Sequence, residues 1–402
     1  MKRHFRRVAL AAVAAAWLPA CPAAAQALVQ EVSPAPVPGW TFTPGAVVGF
    51  VYDSNVAIAA APASTHATEA STLLMLEPTG RLAFLGRHTS LSTDYTGQLR
   101  RYTSVPELDD YAQHAHFSLQ QQLRQSTWFV QNSYADVPTT DEVELNGAPF
   151  QRTGTRTDSF GAGFDATLSP LSKLSVRYDL TWARFDRTAP SLTGGLINGV
   201  SSAFDRAVSG RLSVGAEGQL RFAAMNDAAS VLRFQHVGGT LHYALAPHTQ
   251  VAGALGMAFL QDPSRAISRS GPYTRASIDQ VTPAGVYGAA YERSFVPSFG
   301  FGGSTNSQEV RGWVDLPPIG RRVFVHSSLA WRRSNPLERQ DVARDTTYLR
   351  ASVGYAIART VRVDGFYVYT RQAALERRLA GGTVNRSRAG IELTFFNPMR
   401  IQ

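Results

Sequence analysis

The chain is nearly devoid of cysteine. Its single one, Cys21, lies close to the N-terminus of 402 residues. This excludes an intrachain disulfide and any zinc site built on several thiolates. Long apolar runs are missing as well. Past the N-terminal segment, none reaches the roughly 18 continuous apolar residues of a transmembrane helix, so helical spanning is excluded. Acidic residues are outnumbered, and the formal net charge is +9. The arginines are spread along the chain instead of gathered on one face, which argues against a nucleic-acid partner.

What is present begins with MKRHFRRVALAAVAAAWLPACPAAAQA. Lys2, Arg3, Arg6 and Arg7 form a basic start, Val8 to Leu18 a short apolar core, and Ala23 to Ala25 a small-residue cleavage site. Residues 1–25 therefore read as a secretory signal peptide. Leu18-Pro19-Ala20-Cys21 also has the outline of a degenerate lipoprotein box, so lipidation of Cys21 is the alternative. Residues 26–44 hold Pro34, Pro36 and Pro38 and read as an extended periplasmic tether.

From residue 45 to 396 the dominant signal is period-two alternation, the signature of half-buried strands. In Leu91 to Tyr102, Leu91, Thr93, Tyr95, Gly97 and Leu99 share one face, against Ser92, Asp94, Thr96, Gln98 and Arg100. Asp158 to Leu168 and Leu174 to Phe185 repeat the pattern. Short connections (LGRH at 85–88, LRQS at 123–126, APHT at 246–249) alternate with long ones rich in Pro, Gly, Ser and Asn, such as Val137 to Thr155 and Thr188 to Ser202. Four short turns head a loose repeat of turn, polar residue and alternating strand of about ten residues, the length that crosses a hydrocarbon core at barrel tilt. Sorting short turns to one rim and long loops to the other is the layout of transmembrane barrels. Aromatic residues assigned to the apolar faces, Trp128, Tyr134, Trp182, Trp331, Tyr348, Tyr355, Tyr367 and Tyr369, suit lipid-water interfaces. The expected fold is all-β: a single antiparallel transmembrane barrel at 45–396, followed by a tail at 397–402. Sixteen strands are preferred and 18 come next, because Val208 to Met225 reads either as a membrane hairpin or as part of a long loop.

The closing segment, Arg386 to Phe396, sets Ala389, Ile391, Leu393 and Phe395 against Arg388, Gly390, Glu392 and Thr394. It resembles the C-terminal signal that outer-membrane barrels present to their assembly machinery, although six residues follow Phe396. Together with Gly49 to Asn55 (GFVYDSN) and Leu241 to Pro247 (LHYALAP), it makes the chain resemble the β-barrel porins associated with exopolysaccharide-synthesis genes in Gram-negative bacteria. That resemblance implies the outer membrane as location and its lipid as surroundings. It also implies polysaccharide and export-complex proteins as partners, and brings no catalytic residues and no cofactor.

Charged side chains expected on the lumen face are Asp94 and Arg100, Arg177 and Asp179, then Arg350, Arg362, Asp364, Arg388 and Glu392. They form either a selective pore wall or a set of cross-strand pairs that fill the interior. An excess of lumen arginine would favour anions. His114 and His116 share a face two residues apart, but no third ligand is near, and they are read as polar wall, not metal site. Asp109-Asp110 is read as a solvated loop pair rather than protease acids. Ser327 and His326 are adjacent on a strand, face opposite ways and cannot form a nucleophile-base pair. Three functions follow in order: a conduit for polysaccharide or other polar solutes, a plugged barrel that docks with an export machine, and a barrel-embedded hydrolase.

Overall fold

The computed structural model describes residues 38–58, 69–143, 145, 148–186, 192–226, 231–263, 267–299, 303–319, 322–337, 342–375 and 382–401. The signal peptide, Cys21 and the proline-rich residues 26–37 lie outside the described residues, as do Gly300 to Gly302.

Among the described residues, nineteen strands follow one another along the chain. The first nine are β1 (Gly39–Asp53), β2 (Ser71–Leu85), β3 (Thr89–Tyr102), β4 (Asp110–Gln122), β5 (Ser126–Thr139), β6 (Arg152–Ser169), β7 (Ser172–Phe185), β8 (Gly195–Ala207) and β9 (Leu212–Met225). Then come β10 (Leu232–Ala246), β11 (Thr249–Asp262), β12 (Ile267–Thr282), β13 (Gly285–Ser298), β14 (Gly303–Ile319), β15 (Val323–Pro336), β16 (Arg344–Ala358), β17 (Val361–Ala374) and β18 (Val384–Phe396). Each pairs antiparallel with its sequence neighbours, and β1 also pairs with β18, Gly45 to Asp53 lying against Phe396 to Arg388. Closure removes every sheet edge, the condition for β-structure in hydrocarbon. The remaining strand, β19 (Met399–Ile401), is a stub paired with Trp40 to Phe42.

The barrel therefore has eighteen strands, not the preferred sixteen. The hairpin at fault is β8–β9. Its first strand, GLINGVSSAFDRA, reads as loop because Gly199, Ser201 and Ala203 are small, yet these are its inward positions, while Val200 and Phe204 are exposed on the outside. Two boundaries also move. Residues 39–44, assigned to the tether, belong to β1: Trp40 and Phe42 alternate with Thr41 and Thr43 and pair with Phe84 and Leu82 of β2. In the expected free tail, residues 399–401 are paired. The strands run from 13 to 18 residues, longer than the ten that cross the hydrocarbon, so their ends stand in the interfaces.

The two faces separate as the alternation predicts. Phe50, Leu255, Val353 and Ile391 are more than half exposed and face outward. Near the short-turn rim, outward rings stack in cross-strand pairs, Trp40 on Phe84 at 5.0 Å and Trp128 on Phe164 at 4.9 Å between centroids. Towards the other rim stand Tyr134, Trp182, Trp331, Tyr367 and Tyr369, on the outward registers of β5, β7, β15 and β17. Two aromatic girdles around an apolar band mark the depth of a bilayer. Tyr348 is a correction. It lies seven residues from outward Tyr355 on β16, an odd spacing, and so shares the inward register of Arg350 and buried Ser352.

At β10–β11 the two backbones approach closely. Gly238 lies opposite Gly256, flanked on the inner face by Ala254 and Ala258. A Cβ at Gly256 would run into the Val237 carbonyl and come within 2.5 Å of the Gly238 Cα. Gly285, at φ +148°, opens β13 after the turn at Pro283-Ala284 and takes a conformation that side chains disfavour.

Candidate functional site

The candidate site is the lumen, and the strand alternation builds it directly. All eleven charged or histidine residues expected to line it fall on inward registers. Most of their partners stand across strands. Asp94 meets Arg81 at 3.4 Å, Arg177 meets Asp165 at 3.9 Å, and Asp179 meets Arg221 at 3.6 Å. Arg362 donates to Asp364 at 2.7 Å within one strand. His116 Nδ1 lies 2.9 Å from Ser133 Oγ, and His114 faces the lumen between Thr96 and Ala135 in the register. Glu392 sits opposite Asp364, and Arg350 stands in the field of both carboxylates and of Glu77. Further inward pairs, Glu217 with Arg275 and Glu309 with Arg332, continue the pattern around the wall. His326 pairs with Asp315, and Ser327 takes the opposite face.

The densest part of the lumen was not legible in the sequence. The connection from β5 to β6 does not stand away from the barrel. It turns inward through a short 3-10 turn, Thr140–Glu142, and is fastened to strands on the far side of the β1–β18 closure. Arg386 of β18 is the clasp. Its Nε and Nη2 donate to the Asp53 carboxylate at 2.6–3.2 Å, and its Nη1 donates to both Asp141 oxygens at 2.9 Å. The Arg386 side chain is 2% exposed and that of Asp53 fully buried. Arg100 forks onto Glu142 with two bonds of 2.8 Å, and Arg388 adds one of 3.0 Å. Gln372 of β17 then takes the returning half of the loop, accepting from Phe150 N at 2.8 Å and donating to the Ala148 carbonyl at 2.9 Å. Thr140 closes the neck, donating to Pro149 O at 2.7 Å and accepting from Gln151 N at 2.9 Å. Asp109 and Asp110 are structural: the first accepts from Arg101 and Tyr102 N, the second from Arg152.

Burial alone would push the Glu142 carboxyl up. The guanidiniums of Arg100, Arg388 and Arg386 outweigh it and hold this group well below the usual carboxylate range. A carboxylate depressed by folding contributes stability that is complete above its unfolded value and is lost only as pH falls through the folded one. The loop should therefore stay seated as pH drops from neutral to about 4, the ordinary carboxylate value. Limited proteolysis of the reconstituted barrel checks this: the β5–β6 loop should resist cleavage throughout that range, and Glu142→Gln should expose it already at neutral pH.

Apolar packing closes around the same level. Val51, Val56, Leu73, Met75, Tyr102 and Val105 form one buried cluster inside the wall. Ala183, Ile197, Met225, Phe234, Leu260 and Phe299 form another, reached by Leu145 of the inward loop. Thr193 N donates to Phe299 O at 2.9 Å, so the β7–β8 and β13–β14 connections also meet. The long-loop half of the lumen is thus narrowed by loops, while the short-turn half keeps its charged wall.

No family model and no curated protein matches the chain. Among solved structures, Pseudomonas aeruginosa OpdQ aligns at 6% identity and TM-score 0.44, over 90% of this chain and 98% of that one. P. aeruginosa OpdK, in its structure with vanillate, aligns at 8% and 0.46, over 89% and 99%. Acinetobacter baumannii OccAB4 aligns at 7% and 0.47, over 90% and 98%. With all three scores below 0.5, what the lumen can do is read from its own geometry.

Proposed function

We propose that the protein is an outer-membrane channel for small polar solutes, narrowed from the long-loop side by its β5–β6 loop. The observation that supports this most directly is the seating of that loop. Buried, charge-assisted bonds from β3 and β18 fix a polar segment inside a polar wall, which defines the width of a passage instead of filling it with a packed core. The apolar exterior with two aromatic girdles supports the membrane location, and the short-turn rim then faces the periplasm. The excess of lumen arginine expected to favour anions does not carry over, because Arg81, Arg177, Arg221, Arg275 and Arg332 each have a carboxylate partner. A polysaccharide cargo comes only with the family resemblance, and a loop-narrowed lumen suits shorter solutes better.

Single-channel recording of the refolded protein in a planar bilayer tests this reading. Discrete steps that scale with salt are expected, with a reversal potential near zero in a gradient of concentrated potassium chloride, where rim charges are screened. The second reading, a plugged scaffold, is favoured by the Thr193–Phe299 contact and the apolar cluster beneath it. Silence from a folded, heat-modifiable barrel would establish the scaffold over the channel.

A further inference from the structure

Part of the excess positive charge of this chain lies at one rim. The short-turn rim gathers the connections at 86–88, 123–125, 170–171, 208–211, 247–248, 283–284, 320–322 and 359–360, together with 397–401. Among the described residues of these connections there is no Asp or Glu. Instead they carry Arg87, Arg124, Arg211, Arg322 and Arg359, all exposed, and Arg206 of β8 joins them from an outward register one residue before its strand ends. None of the six forms an ion pair among the described residues, in contrast to the lumen arginines a few residues away.

Five of the six cations also have an exposed apolar neighbour. Leu123 precedes Arg124, Val208 lies between Arg206 and Arg211, and Ile357 is two residues before Arg359, each 49–62% exposed. Ile319, 57% exposed, lies at the turn that holds Arg322, and Arg322 Nη1 donates to the hydroxyl of outward Tyr355 at 3.1 Å. Just inside this rim stand the outward pairs Trp40–Phe84 and Trp128–Phe164. A solute funnel would set its charge on the inner lip and would not require apolar side chains beside its cations. Apolar anchor, aromatic ring and cation in succession is the order of the boundary between acyl chain and headgroup.

We infer that the short-turn rim is a binding belt for anionic phospholipid: the arginines take the headgroup phosphates of the adjoining leaflet, and the apolar residues between them take the upper acyl chains. Guanidinium matches phosphate geometry with paired donors, and each basic side chain at a charged surface adds to lipid attraction. This inference rests on the membrane placement of the barrel and not on conduction.

The test is lipid selectivity of the full chain reconstituted in vesicles of equal parts phosphatidylcholine and phosphatidylglycerol. Spin-labelled lipids report association with the barrel surface. Phosphatidylglycerol should associate several-fold more strongly than phosphatidylcholine, and the preference should fall as salt is raised. A variant combining R124Q, R206Q, R211Q, R322Q and R359Q should lose it, while Arg101→Gln with Arg371→Gln, at the opposite rim, should keep it. Equal association of the two lipids, or a preference unchanged in the five-site variant, overturns the inference. Displacement of the labelled lipid by soluble glycerol phosphate at equal concentration overturns it too, since the site would then take free phosphate and not lipid. If the five-site variant does not fold, the salt titration of the unaltered chain decides, because a preference that survives concentrated salt is not electrostatic.

Discussion

Replacing Arg386 by Ala should unseat the β5–β6 loop and widen the channel. The side chain is enclosed and neutralises two acids at once, Asp53 from β1 and Asp141 from the inward turn. Removing it leaves two carboxylates buried in a site that excludes water from both. Breaking a buried ion pair from one side typically costs about 3–5 kcal/mol, much of it the penalty of the charge left behind. The barrel can lower that cost by releasing Asp141, which sits on a movable connection, but not Asp53, which is held in the β1–β18 seam. The loop should therefore leave its seat before the wall fails. Expected results are a larger single-channel conductance, cleavage of the loop by added protease and a modest fall in the temperature of barrel unfolding on gels. Arg386→Lys should give a partial effect, because one ammonium cannot fork onto Asp53 while also holding both oxygens of Asp141. Unchanged conductance together with an unchanged protease pattern in Arg386→Ala would show that the loop is not held from β18.

The parts of this architecture that depend on local alternation were legible in the sequence. The inward side of Arg362, Asp364, Arg388 and Glu392 and the outward side of Ala389 and Ile391 follow from period two alone. So does the sorting of connections into two rims. What was not legible depends on closure and on small residues. β8 was hidden because a lumen-facing strand needs no large inward side chains, and Gly199, Ser201 and Ala203 imitate a loop. The loop clasp was hidden because Thr139 to Glu142, reading TTDE, has the composition of a solvated turn. Only the ring closure that sets β1 beside β18 brings Asp53 next to Arg386, 333 residues away, and nothing in the sequence pattern says which loop bends inward to meet them. The lone signal was a second inward arginine two residues before Arg388, more basic charge than the neighbouring wall could pair.

The largest effect on folding is expected at Gly256. The residue faces inward on β11, opposite Gly238, where the two strands approach so closely that a Cβ would meet the Val237 carbonyl and the Gly238 Cα. These obstacles are backbone atoms, which cannot swing aside as a side-chain tip can. Ala254 and Ala258, the inward residues on either side, are buried, so the displaced chain meets packed neighbours and not open space. Glycine in a strand interior ordinarily weakens it and is kept where a bend or a close backbone approach requires it. Gly256→Val should therefore force β10 and β11 apart, break their ladder on both sides of the substitution and prevent the ring from closing. In a membrane, an unclosed ladder leaves donors and acceptors unpaired in hydrocarbon, so a local misfit becomes a failure of the whole barrel. Refolding yield, read as the heat-modifiable band, should fall to near zero for Gly256→Val and markedly for Gly256→Ala. Gly365→Ala, where a Cβ would point into open space on β17, should refold as the unaltered chain does. Equal yields for the Gly256 and Gly365 variants would mean that β10 and β11 are not packed this closely.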